Sequence, residues 1–170
     1  AWVRFSPVKG EDAIIFGLAG VKGVGEQVAE AIVAEREANG PYKGLMDFAV
    51  RLAEYSMREK MPNVCNKRVL ENLVRCGALD FAIRDKPGFH RARLFNNIEF
   101  VLKRATSRAA EKASGQTDFF AIMSTGEESS DTELADCPAW PVADGFKAER
   151  ELLGIYLTGH PLGAWKHMLS

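Results

Sequence analysis

The sequence predicts a mainly α-helical chain, and three observations predict it. Apolar residues recur at helical spacing through much of the chain, glycine-centred turns separate the helical runs, and strand-like patterning is confined to residues 1–16. The composition suits a globular domain, with 46% of residues hydrophobic and 26% charged. No apolar run approaches the ~18 residues of a membrane-spanning helix, so no membrane partner is expected. Cys65, Cys76 and Cys137 are odd in number and lack CxxC spacing. That argues against a disulfide framework or a zinc site, and for reduced thiols in a cytoplasmic protein. The chain starts Ala1-Trp2-Val3-Arg4, with neither an initiator methionine nor a basic-then-apolar leader, and runs out in a helical pattern over 160–170. A piece of a longer protein is expected to look like this.

The elements follow in order. Residues 1–8 alternate weakly, with Pro7 near the end, and residues 13–16 form a short apolar run; either suits a strand of a short N-terminal β-ribbon. Gly17 and Gly20 restrict the next helix to one turn over 18–21. Gly23-Val24-Gly25 then turns the chain, and a helix is expected over 26–38 with Val28, Ala29, Ile32 and Val33 as its apolar stripe. Asn39-Gly40-Pro41 stops it, Leu45-Met46-Asp47-Phe48 opens the next helix, and Pro62 and Asn63 break that one. Asn66 caps a helix whose inner face is Val69, Leu70, Leu73 and Val74, and Cys76-Gly77-Ala78-Leu79-Asp80 closes it in a tight turn. A further helix is predicted over 89–112, with Leu94, Ile98, Val101 and Leu102 inward. Over 105–148 the residues become small, polar and acidic, burying too little apolar area to offset chain ordering, so a flexible linker is expected. A C-terminal helical segment follows over 149–170.

The first glycine turn carries the clearest chemistry. Leu18-Ala19-Gly20-Val21-Lys22-Gly23-Val24-Gly25-Glu26-Gln27-Val28 reads as a helix-hairpin-helix element. Two glycines around one apolar residue permit a sharp turn and leave main-chain N–H groups uncovered, while Val24 plugs inward. Because a helix starts just beyond, those amides lie at a helix N-terminus, which favours an anion such as a DNA phosphate. The helix, Gly77 turn and following helix repeat this logic in a degenerate second copy, since Leu79 stands where another glycine is expected. A plain helix C-cap explains that second turn equally well. The fold is therefore read as a tandem helix-hairpin-helix domain. Candidate DNA contacts are Lys22, Gly23, Val24, Gly25 and Gln27 from the first hairpin, and Lys67, Arg68, Gly77 and Ala78 from the second.

Charge points the same way. The formal net charge of −1 divides into +4 over residues 1–104 and −5 over 105–170, and the stretch 66–104 alone carries +5. A basic half suits double-stranded DNA, although a solvated helix face gives the same pattern. Within the acidic half stands Gly115-Gln116-Thr117-Asp118-Phe119-Phe120. Two adjacent phenylalanines in a polar stretch call for a partner or a fold-back. Their spacing from a glutamine resembles the short motif by which bacterial replication proteins bind the sliding clamp, making Gln116, Thr117, Asp118, Phe119 and Phe120 candidate clamp-binding residues.

Taken together, these segments resemble the C-family bacterial replicative DNA polymerases. The resemblance rests on Phe16-Gly17-Leu18 with Val21-Lys22-Gly23-Val24-Gly25, on Gly40-Pro41-Tyr42 with Leu45-Met46-Asp47-Phe48, and on Asn66-Lys67-Arg68-Val69-Leu70-Glu71 with Cys76-Gly77-Ala78-Leu79-Asp80. The clamp motif and the tail Glu149-Arg150-Glu151-Leu152-Leu153-Gly154-Ile155-Tyr156-Leu157-Thr158-Gly159-His160-Pro161-Leu162 complete it. It implies that 1–12 end a preceding fingers region, 13–104 form the tandem helix-hairpin-helix domain, 105–148 carry the clamp motif, and 149–170 lead into an OB-fold. It also implies other replicase subunits as partners, and a parent nucleotidyltransferase whose Mg2+-binding carboxylates lie upstream. No closely spaced Asp pair is present here, so no polymerase activity and no cofactor are expected of this piece alone.

Two alternatives stay open. A helix-hairpin-helix DNA glycosylase would need a carboxylate acting on a flipped nucleotide, and Asp47 is the candidate, although its place at a helix start suits a dipole partner as well. A protein-interaction scaffold would use the helices and Phe119-Phe120 without DNA. His90, His160 and His167 lack partners at metal-ligand spacing.

Overall fold

A two-stranded antiparallel ribbon opens the chain, with β1 (Ser6–Pro7) paired to β2 (Ile14–Ile15) in the register Ser6 to Ile15. The computed structural model describes residues 3–7, 14–62, 64–114, 131–159 and 161. A 3-10 turn at Leu18–Gly20 follows, then α1 (Glu26–Asn39), α2 (Leu45–Arg58), α3 (Lys67–Arg75), α4 (Arg91–Asn96), α5 (Ile98–Ala113) and α6 (Val142–Leu153). Both the mainly helical class and the short ribbon agree with the sequence reading.

The core is built where the apolar stripes of α2 and α5 meet. Leu45, Phe48 and Leu52 from α2 pack with Ile98, Val101 and Ala105 from α5, all essentially buried. Leu70, Leu73 and Val74 of α3 join them, and each such aliphatic side chain removed from water contributes about 1.5–3 kcal/mol. Asn66 caps α3 as its sequence predicts, its Oδ1 accepting from the Val69 amide at 3.0 Å.

The predicted helix over 89–112 is two helices. It breaks at Asn97, whose side chain donates to the Ala135 carbonyl and accepts from the Ala135 amide, both at 2.9 Å. That pair of bonds ties a distant segment to the α4–α5 corner. The flexible linker expected over 105–148 is corrected at its two ends, residues 115–130 lying outside the described residues. Residues 105–113 complete α5, while Leu134 is buried and Trp140 packs edge-on against Phe95. Asp131 supplies the N-cap that Gly44 cannot, accepting from the Leu45 and Met46 amides at 3.1 and 2.9 Å, with Lys86 pairing its charge at 3.0 Å. A polar average over the segment conceals these few anchoring residues.

The C-terminal helix also starts earlier than predicted and ends at Leu153, where Gly154 takes a left-handed conformation. The expected continuation over 160–170 lies outside the described residues apart from Pro161, which is not helical, and so do Gln116, Thr117, Asp118, Phe119 and Phe120.

Candidate nucleic-acid interface

The first hairpin runs from the 3-10 turn at Leu18–Gly20 to the N-terminus of α1. Leu18, Val21 and Val24 point into the core, which presses the intervening backbone outward. Gly23 has φ 81°, a conformation that any side chain would strain. The Val21 carbonyl accepts the Val24 amide at 3.0 Å, which closes the turn. The Gly23 and Gly25 amides have no acceptor among the described residues. Gly25 caps α1 without a side-chain hydrogen bond, so the first-turn amides remain uncapped as well.

Gly25 is instructive because nothing among the described residues requires it to be glycine. Its φ is −68° and a Cβ built there meets nothing within 4 Å. The absence of a side chain leaves open space directly over the uncapped helix end.

The structure brings some of the expected contacts together. Lys22 and Gln27 are exposed on either side of the turn, and the Arg68 Nε lies 3.7 Å from where a Gly23 Cβ would stand. Lys67 is turned to the Glu99 and Glu71 carboxylates instead, and that pairing raises its pKa. Gly77 and Ala78 lie at the opposite end of α3, a nine-residue helix about 13 Å long.

The second turn is built differently. Gly77 also has positive φ, at 82°, but its amide is spent on the Val74 carbonyl at 3.1 Å. A Cβ there would collide with the Arg91 guanidinium. Arg91 binds Asp80 through Nε and Nη2 at 2.8 and 2.5 Å, and reaches Glu149 of α6 at 3.4 Å. Glu149 is fully buried and accepts from the Leu157 and Thr158 amides at 2.9 and 3.1 Å and from the Thr158 hydroxyl at 2.7 Å. Burial pushes its pKa up, but Thr158, Leu157 and Arg91 outweigh burial and hold it below the ordinary carboxylate range. Arg91, Glu149 and Thr158 are residues that the sequence reading did not single out for the site region.

The basic stretch 66–104 is likewise mostly spent. Arg75, Lys86, Arg91, Arg93 and Arg104 pair with Glu151, Asp131, Glu149, Asp136 and Glu133 of the acidic segment. Among the described residues, Arg68, Arg84 and Lys103 of that stretch carry no ion pair. The charge asymmetry is thus largely an internal attraction between two parts of the chain, and Arg68 is the cation it leaves beside the first hairpin.

Asp47 sits in the first turn of α2, accepting from the Lys43 amide at 2.9 Å and from Arg51 at 3.4 Å. Arg51 also holds the Glu35 and Gly40 carbonyls, which places Asp47 toward the end of α1 opposite to the one the hairpin leads into. His90 caps α4, its Nδ1 accepting from the Arg93 amide. Cys65 and Cys76 are shielded thiols, pushed by burial to about 12 and about 11. Among the described residues no group of His, Cys, Asp and Glu is placed to hold a metal ion, and no helix is long and apolar enough to cross a membrane.

A family model described as a helix-hairpin-helix motif matches residues 2–94. The chain belongs to the helix-hairpin-helix family. This helix-hairpin-helix chain is 35% identical to DNA polymerase III subunit alpha of Vibrio cholerae over 98% of its own length and 13% of the relative. It is also 35% identical to the Escherichia coli K12 subunit, over 93% of this chain and 12% of that one. With the Haemophilus influenzae subunit it shares 34% identity over 96% and 13%. The helix-hairpin-helix chain therefore corresponds to about an eighth of the length of these relatives.

Proposed function

We propose that this chain is a non-catalytic part of a bacterial replicative polymerase subunit. In this reading its first hairpin holds the phosphate backbone of double-stranded DNA without reading sequence, and Gln116, Phe119 and Phe120 tether it to the sliding clamp in the cytoplasm. The observation that carries the duplex half is Gly25. An unstrained glycine with empty space over it, beside two unspent amides and the cations Lys22 and Arg68, has the form of a surface that another backbone approaches closely. Phosphate contacts of this type position a protein and do not specify sequence. Gly77 and Ala78 are at most a minor contact in this reading, because the Arg91 guanidinium covers their turn and the Gly77 amide is spent on Val74. The relatives' name, DNA polymerase III subunit alpha, supports the replicative setting.

The clamp half rests on the sequence pattern alone. Two weak contacts joined through one chain gain from effective concentration, on the order of 10²–10⁴-fold in combined affinity, which would make synthesis processive. Titrating the chain with clamp, with and without duplex, tests both halves. Replacement of Gln116, Phe119 and Phe120 by alanine is expected to abolish clamp binding and leave duplex binding intact. Unchanged clamp affinity would refute the tether.

A further inference from the structure

The first hairpin is held from outside at two backbone positions. The Asn72 side chain, on the second turn of α3, donates its Nδ2 to the Lys22 carbonyl at 2.9 Å. The Lys22 amide donates to the Leu152 carbonyl at 2.9 Å. Leu152 is in the last turn of α6, whose final carbonyls have no partner within the helix, so the hairpin supplies the donor that this helix end lacks.

The two bonds have a directional consequence. In a trans peptide the carbonyl and the N–H of the same unit point in opposite directions in one plane. Asn72 draws the Lys22 carbonyl toward α3, so the Gly23 amide on the same peptide is turned away from α3 at an exposed position. Without that anchor the Lys22–Gly23 unit can rotate, because Gly23 has access to conformations on both sides of φ. Leu152 fixes the preceding peptide in the same way. Asn72 also fills the space where a Gly23 side chain would stand, its Nδ2 lying 2.5 Å from an ideal Cβ.

We infer that Asn72 is a positioning residue for phosphate binding: it aims the Gly23 amide, with the Leu152 carbonyl of α6 bracing the peptide before it. The inference rests on the first hairpin being the duplex grip. It gives α6 a part in that grip although α6 touches no DNA in this arrangement. Preorganised amides bind an anion without the cost of turning them at the moment of contact.

The test is duplex binding by the full chain, measured by fluorescence anisotropy over a range of salt. Asn72→Ala should fold normally, since alanine is the better helix former. It is expected to weaken duplex binding about tenfold, the value of one well-placed hydrogen bond. The slope of log affinity against log salt should not change, because no charge is lost, whereas Lys22→Ala should lower that slope by about 1. Amide hydrogen exchange should change at Gly23 and not across α2 and α5, which separates aiming from general loosening. In the Asn72→Ala background the penalty of Gly23→Ala should shrink, because the side chain it collides with is gone. Wild-type affinity in Asn72→Ala, with a clear loss in Gly25→Ala, would overturn the role of Asn72 and leave the hairpin reading standing. Wild-type affinity in both variants would overturn both.

Discussion

The two glycine turns share a pattern and part company in what surrounds them. At the first, Gly23 has positive φ and unspent amides that face outward, with Arg68 at its side. At the second, Gly77 has nearly the same φ, but its amide bonds inward and Arg91 covers it while engaging Asp80 and Glu149. One turn is left open and the other is built over. A helix, a glycine turn and a helix therefore do not by themselves make an anion site; what the rest of the chain deposits on the turn decides.

The largest expected effect breaks the built-over side. Arg91→Ala removes the cation between Asp80 and the fully buried Glu149, and although the Leu157 and Thr158 donors remain on Glu149, loss of these charge-assisted bonds should cost about 2–3 kcal/mol. Chemical denaturation should show that loss of stability, while duplex affinity at protein concentrations where the variant is folded should stay within about twofold, well under 1 kcal/mol. A large loss of affinity with unchanged stability would reverse the assignment of the two turns.

Gly25→Ala is the complementary test on the open side, with a smaller effect of the opposite kind. The backbone is unstrained and the added Cβ meets nothing, so stability should stay within about 0.5 kcal/mol of wild type. If another backbone approaches there, duplex affinity should fall about tenfold, equally for unrelated sequences. Equal affinity would show that the space over Gly25 is not used, and a sequence-selective loss would contradict backbone gripping.

This contrast also marks what the sequence made legible. The first hairpin, the helix starts at Glu26, Leu45 and Lys67, and the Asn66 cap follow from local rules, in which glycine, proline and asparagine act on their own neighbourhood. The break at Asn97 and the cap that Asp131 places on α2 could not be read this way, because each joins residues tens of positions apart. The same holds for the charge asymmetry. Counting identified a basic half and an acidic half, but not that Arg75, Lys86, Arg93 and Arg104 face the acidic segment in space. Asn72 carries no motif at all. Its only sequence signal is lying four residues after Arg68, on the same face of α3.

The smallest expected effect concerns pH and the tail motif Leu153-Gly154-Ile155-Tyr156-Leu157-Thr158, which the fold explains through Glu149. Gly154 reverses the chain after α6, and Thr158 returns to the Glu149 carboxylate with its hydroxyl and its amide. Glu149 has a pKa depressed below the ordinary carboxylate value. A depressed carboxylate contributes stability above its unfolded pKa of about 4.3, and that contribution is lost as pH falls through the lower folded value. The clasp should therefore be complete at neutral pH and open only below about pH 4. The Leu157 and Thr158 amide resonances should titrate together in that range, and flat resonances there would refute the clasp. Glu149→Gln removes the titration, because a carboxamide does not ionise in this range, and costs about 1–2 kcal/mol, because its nitrogen cannot accept the hydrogen bonds that a carboxylate oxygen accepts. Since the Leu152 carbonyl that braces Lys22 lies between Glu149 and Thr158, acid should loosen the built-over side first and then reach the open hairpin through that bond, with the Gly23 amide responding only after Thr158.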